Sequence, residues 1–240
     1  FQAAHSPLST PCSIRLLAVG TTGFGKGNAL INEFPGFIVT EEDQITFSKR
    51  INFDDFDVVY IGIGCTFVYP NDIALIKLKE ANEKGEVGVV LEHGDNVSTV
   101  QDYQMDTKNV LNFFEIGPSE VQTHVWGKGD NEGIQLTNIY HYITENINSV
   151  AISEKCGTET LAWVQMDDTD SPVDALATID TNKNVILTHQ TLNRVVIPYY
   201  PWEGAGELDK NRGIRENSEF LKLIWRCIIW AALEPGIEPS

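Results

Sequence analysis

Glu92 and His93 are the residues whose types and placing most suggest chemistry. They follow the short apolar run Val87–Leu91 and lead into Gly94-Asp95. A run of small apolar residues bounded by turn formers reads as a strand buried on both faces, here ending at Leu91. The polar cluster then falls at the carboxyl end of that strand, where open α/β sheets place their ligands. In that position His93 could act as a base or a metal ligand, aided by Glu92, Asp95 or His141. The alternative is that Glu92 and His93 only satisfy backbone groups at a strand end. No H-x-H or H-E-x-x-H spacing marks a metal site.

Two further stretches carry candidate ligands. Asp167, Asp168, Asp170 and Asp174 lie in the loop MDDTDSPVD. Carboxylates at near-alternate positions suit calcium, the one cofactor the sequence suggests. The EF-hand glycine and terminal glutamate are missing, so a solvated acidic loop is the competing reading. Tyr199, Tyr200, Trp202 and Glu203 could form an aromatic platform for a sugar, since aromatic faces bury the apolar side of a carbohydrate. Packing explains the same residues without a ligand, and it equally explains His124, Trp126 and His189. The glycine-rich stretch Gly20–Gly27 is not a P-loop, because Gly27 follows Lys26 where a Ser or Thr should stand. It reads as a strand-to-helix turn, with an anion cradle as the alternative.

The elements that would position these groups can be read along the chain. Ile14–Val19, Phe37–Thr40 and Val58–Ile63 are apolar runs of strand length. Asn71–Lys84 predicts a helix, with Asn71 or Asp72 as cap, an apolar stripe from Ile73 to Ala81, and Gly85 as its stop. The Val87–Leu91 strand follows at once. Strand, helix, strand in this order imply right-handed parallel crossovers. Residues 106–114 predict another helix. Ser149–Ile152, Thr160–Val164, Ala175–Ile179 and Val185–Thr188 read as strands separated by polar turns, in an antiparallel or mixed arrangement. Arg194–Tyr200 is one more strand, interrupted at Pro198. Phe220, Leu223, Ile224, Cys227, Ile228 and Ala231 form one face of a helix over 216–233.

Bulk composition narrows the function classes. A chain of 240 residues with 42% hydrophobic content suits one α/β domain with a sizeable core. Acidic residues outnumber basic ones 34 to 17, a formal charge of -17 that repels phosphate backbones, so no nucleic-acid partner is expected. No apolar stretch reaches the roughly 18 to 20 residues of a membrane span. None of the four cysteines lies in a CxxC pair, which argues against a zinc ribbon; Cys65 and Cys227 read as core thiols, while Cys12 and Cys156 could pair in an oxidising compartment. The chain opens at Phe1 and holds one sequon, Asn96-Val97-Ser98. Together with the acidic, Asn- and Thr-rich composition this suggests part of a larger extracellular or cell-surface protein, with the cytoplasm as the alternative.

Three stretches resemble the class I glutamine amidotransferase-like superfamily, and within it the trehalose-utilisation (ThuA-like) proteins. They are FDDFDVVYIGIG with its following helix and GEVGVVLEHG; Tyr140-His141-Tyr142-Ile143-Thr144, similar to a His-Pro-Ile-Thr stretch with Tyr142 in place of the proline; and RVVIPYYPWEG followed by SEFLKLIWRCIIWAA. The resemblance implies a three-layer, flavodoxin-like α/β domain. It would span residues 1–240, with 1–12 as a surface arm, a mainly parallel sheet, and extra β structure in residues 150–200. Active members of the superfamily carry a cysteine nucleophile in a Gly-x-Cys-x-Gly elbow with a later His and Glu. Here the elbow reads Val90-Leu91-Glu92-His93-Gly94, and the late segment Tyr199-Tyr200-Pro201-Trp202-Glu203 lacks the His. A thiolate nucleophile needs a base beside it, so glutamine hydrolysis by the usual triad is not expected. The implied function is a catalytically silent amidotransferase-like module for binding or assembly, whose partners are other protein domains or a carbohydrate-type ligand. The alternative is a hydrolase acting on a carbohydrate-type substrate through His93 and Glu92, with His141.

Overall fold

Five strands rich in Val, Ile and Leu run parallel through the middle of the computed structural model, which describes residues 13–19, 36–62, 72–93, 108–118, 120–122, 134–155, 163–166, 171–198 and 218–233. They are β1 (Ile14–Val19), β2 (Phe37–Glu42), β3 (Val58–Gly62), β4 (Gly88–His93) and β10 (Arg194–Pro198). Their order across the sheet is β2-β1-β3-β4-β10. This is the doubly wound, flavodoxin-like order, with the topological switch between β1 and β3. Five more strands complete a ten-stranded mixed sheet: β5 (Glu120–Gln122), β6 (Gln135–Leu136), β7 (Trp163–Gln165), β8 (Val173–Asp180) and β9 (Lys183–His189). All five join by antiparallel pairing. The extra β structure expected at 150–200 is therefore present, though it starts at Trp163 among the described residues.

Alternation along the parallel strands builds two cores, one on each face of the sheet. Leu16, Ala18, Val58, Tyr60, Val90, Val195 and Ile197 face helix α5 (Ser218–Ala232), whose Phe220, Leu223, Ile224, Cys227, Ile228 and Ala231 are buried against them. Leu17, Val19, Val59, Ile61, Val89, Leu91 and Val196 face α2 (Ile73–Glu83) and the helical residues 108–113, α3. The remaining helices are the short α1 (Gln44–Phe47) and α4 (Ser149–Lys155). Gly85 ends α2 with φ +74, the left-handed conformation its lack of a Cβ permits. No helix among the described residues is long and apolar enough to cross a membrane.

Two sequence expectations need correction. Ser149–Ile152 is not a strand but the start of α4. Asn148 sits before it and its Oδ1 accepts from the Ala151 amide at 3.1 Å, a helix N-cap that outweighs the β-branched run. The strand expected to stop at Leu91 continues through His93, because β3 pairs with it as far as Glu92 and β10 as far as His93. Several expectations fall outside the described residues: the 1–12 arm, the Gly20–Gly27 turn, Cys12, Cys65, Cys156, the Asn96 sequon, His124 and Trp126.

The amino end of the sheet is tied together by a buried arginine. Arg194, 0% exposed, donates from Nε to Asn82 Oδ1 at 2.6 Å and from Nη1 to the Phe114 carbonyl at 2.7 Å. Glu83 and Glu115 lie 3.6 and 3.5 Å from the guanidinium, and Lys79 pairs with both carboxylates. Asn82 donates onward to the Val87 carbonyl at 2.8 Å. One guanidinium thus joins β10, α2 and the segment after α3, a bidentate use that a lysine could not copy.

Candidate functional site

The parallel register of β3 and β4 sets the surroundings of Glu92. Tyr60 is level with Val90, and Gly62 is level with Glu92. With a period of two, Tyr60, Val90 and Glu92 share the face that packs against α5. Gly62, level with Glu92, carries no side chain. The Tyr60 hydroxyl donates to Glu92 Oε2, with Tyr60 1% and Glu92 0% exposed. A carboxyl group buried in this way is costly without a hydrogen bond and is held firmly with one. It sits at the carboxyl end of the parallel sheet, as the sequence predicts, but its side chain is turned into the α5-side core.

His93 stands level with Pro198 at the end of the β4–β10 ladder. Its backbone is therefore extended and paired, where a nucleophile elbow needs a sharp turn out of the strand. His141 lies elsewhere. Its Nδ1 accepts from the Ile143 amide at 3.2 Å, and its ring packs against Trp230 with centroids 5.2 Å apart. The next residue, Tyr142, stacks under Arg226 at 5.3 Å, and Arg226 donates to the carbonyls of Tyr142 and Glu145. Burial pushes the Tyr142 phenol above its usual range, and nearby Arg226 offsets part of this. The 141–145 turn is thus stapled to the carboxyl end of α5.

Gly88 shows where that end lies. A Cβ on Gly88 would overlap the Ala231 carbonyl, so the last turn of α5 sits on the first residue of β4. Trp230 and His141 are therefore anchored near the start of β4. Glu92 is four residues further along the strand, about 13 Å at 3.3 Å per residue.

The other predicted site residues lie outside the described residues: Asp95, Asp167, Asp168, Asp170, Tyr199, Trp202 and Glu203. Of the acidic loop only Asp174 is described, on β8, where it accepts from Gln190 Nε2 at 3.0 Å. Among the described residues no group of three or more His, Cys, Asp or Glu is gathered as a metal site. Sequence reasoning missed the Tyr60–Glu92 pair. Its signal was present, since Val58, Tyr60 and Gly62 alternate on one face of a strand level with β4, but only the register shows that the two polar groups meet.

No protein-family model matches the sequence, and no curated protein matches it. Solved structures do match the fold. A ThuA-like protein from Bacteroides uniformis superposes with a TM-score of 0.54 at 11% identity, over 95% of this chain and 95% of that chain. A ThuA-like protein from Parabacteroides merdae gives 0.53 at 14% identity, over 94% and 92%. A glutamine amidotransferase gives 0.45 at 10% identity, over 90% and 99%. The order β2-β1-β3-β4-β10 and the likeness to the two ThuA-like structures show that the chain has the flavodoxin-like α/β fold of those proteins.

Proposed function

We propose that the chain is a catalytically silent amidotransferase-like module that serves binding or assembly. The observation that carries this reading is the state of Glu92. By the resemblance, Glu92 or His93 stands where the cysteine would be; Glu92 is fully buried and takes a hydrogen bond from Tyr60. A catalytic carboxylate must touch the reacting atoms. This one is spent on joining β3 to β4 beneath α5. The extended backbone at Glu92 and His93 supports the same reading, because both residues are paired with β10.

The test is a turnover assay on the purified chain with glutamine, activated esters and a panel of glycosides, using wild type, Glu92→Gln and His93→Ala. The expected result is no turnover above buffer for all three. Turnover by wild type that either substitution abolishes, with the fold retained by circular dichroism, would sink the silent-module reading and favour a hydrolase.

A further inference from the structure

His189 closes β9 and opens the turn into β10. Its Nδ1 accepts hydrogen bonds from the amides of Thr191 and Leu192, both at 3.2 Å. Accepting two amide protons leaves Nδ1 unprotonated and puts the ring proton on Nε2. The residue is 4% exposed, and Nε2 has no hydrogen-bond partner among the described residues.

The turn held by this ring ends at Asn193, where three elements converge. The Asn193 carbonyl accepts from the Val89 amide of β4 at 2.8 Å and from Asn82 Nδ2 of α2 at 3.3 Å. The Asn193 side chain donates to the Leu233 carbonyl, just past the last turn of α5. One imidazole lone pair therefore orders a turn that clasps β4, α2 and the carboxyl end of α5.

The charges around the ring oppose its protonation. The register Val195 with Thr188 continues to Arg194 opposite His189, so the buried guanidinium and the imidazole are cross-strand neighbours on one face. Lys79 of α2 adds a second positive charge. Glu115, after α3, opposes them, but it and Glu83 of α2 are engaged by Arg194 and Lys79. On β8, Asp174 is hydrogen-bonded by Gln190. Burial, and then Arg194, hold the imidazole below the ordinary histidine range. An imidazolium would carry a proton on Nδ1, and there it can accept nothing.

We propose that His189 is an acid-released latch: protonation of its Nδ1 expels the amides of Thr191 and Leu192 and frees the 190–193 turn from β4, α2 and the carboxyl end of α5. The event is a local opening of a clasp, driven by a solvent proton and reversed when it leaves. Mild acidification would loosen the carboxyl end of α5 and the first bond between β4 and β10, while the rest of that ladder stays paired.

The test compares backbone hydrogen exchange in wild type and His189→Asn at matched pH, so that the intrinsic pH dependence of exchange cancels. Asn places Oδ1 where it can accept from amides two and three residues on, and it does not titrate. At pH 8 the amides of 191–194 and 230–233 should exchange at rates within about twofold in the two proteins. At pH 5 wild type should exchange more than twofold faster, with a ceiling of about thirtyfold if the ring titrates near 6.5 only once the turn is open. A ratio that stays within twofold at pH 5 overturns the proposal, and so does an equal acid-induced rise in His189→Asn. If that variant does not fold, a 15N titration of the wild-type ring decides. The Nε2–H tautomer at neutral pH and a midpoint below about 6.5 are expected, and a midpoint at or above that reference value overturns the latch.

Discussion

Replacing Gly88 by Ala probes the contact between β4 and α5. An added Cβ would overlap the carbonyl oxygen and carbon of Ala231 and lie 3.2 Å from its Cα. Unbonded heavy atoms prefer separations of about 3.5–4 Å, so strand and helix must part by more than about 1 Å. Neither side can yield cheaply. The obstacle is backbone in the last turn of a helix whose Cys227, Ile228 and Ala231 are fully buried, and Gly88 is fixed by its amide to the Asp57 carbonyl at 3.0 Å. Overpacking a core costs roughly 1–3 kcal/mol, and a backbone-on-backbone clash belongs at the top of that range, about 3 kcal/mol. For a chain of this size that lowers the melting temperature by roughly 6–12 °C, at about 2–4 °C per kcal/mol. Urea denaturation of wild type and Gly88→Ala, followed by circular dichroism, measures the loss. Adding Ala231→Gly should not restore stability, because the clash is with the carbonyl. A loss below about 0.5 kcal/mol, or rescue by Ala231→Gly, would refute the reasoning.

Two further outcomes are expected from the amino end of the sheet. Arg194→Lys should destabilise by about 3 kcal/mol in urea melts, because it leaves Asn82 Oδ1 and the Phe114 carbonyl short of a buried donor; a loss under about 1 kcal/mol would count against the network. His189 sets a pH dependence of global stability. Its folded-state value lies below the ordinary one, so the unfolded chain takes up the proton first. The contribution is fully present above about pH 6.5 and is lost as pH falls toward the folded-state value. Melts of wild type and His189→Asn between pH 8 and 5 should therefore diverge in acid, and parallel curves would contradict this.

Much of the fold is legible in the sequence, because the strands and the two main helices announce themselves locally. The apolar runs at β1, β3, β9 and β10 and the i, i+3, i+4 stripe of α5 each need only their own residues to be recognised. Where local pattern and tertiary partners disagree, the sequence misleads. Glu92 and His93 read as a turn because Glu and His followed by Gly-Asp usually end a strand, yet β3 and β10 extend the ladder over them. Ser149–Ile152 reads as a strand from its Val and Ile, yet the Asn148 cap and packing of α4 against α5 make it helical. The site is less legible still. Tyr60 and Glu92 are 32 residues apart, and Arg194 reads as an ordinary strand-initial residue although it is fully buried. Such pairs depend on strand register and on burial from other elements, and neither is written in any short window of sequence.

The central claim is that Glu92 serves the fold and not a reaction, and its own stability effect tests this most directly. Catalytic carboxylates are held at some cost to stability, so neutralising one tends to stabilise the protein. A structural one behaves in the opposite way. The measurement is a double-mutant cycle of Tyr60→Phe and Glu92→Gln by urea denaturation. The account predicts that Tyr60→Phe destabilises by about 1–3 kcal/mol, that Glu92→Gln does not stabilise, and that the pair couples by about 1 kcal/mol or more. A more stable Glu92→Gln protein with no coupling to Tyr60 would contradict it.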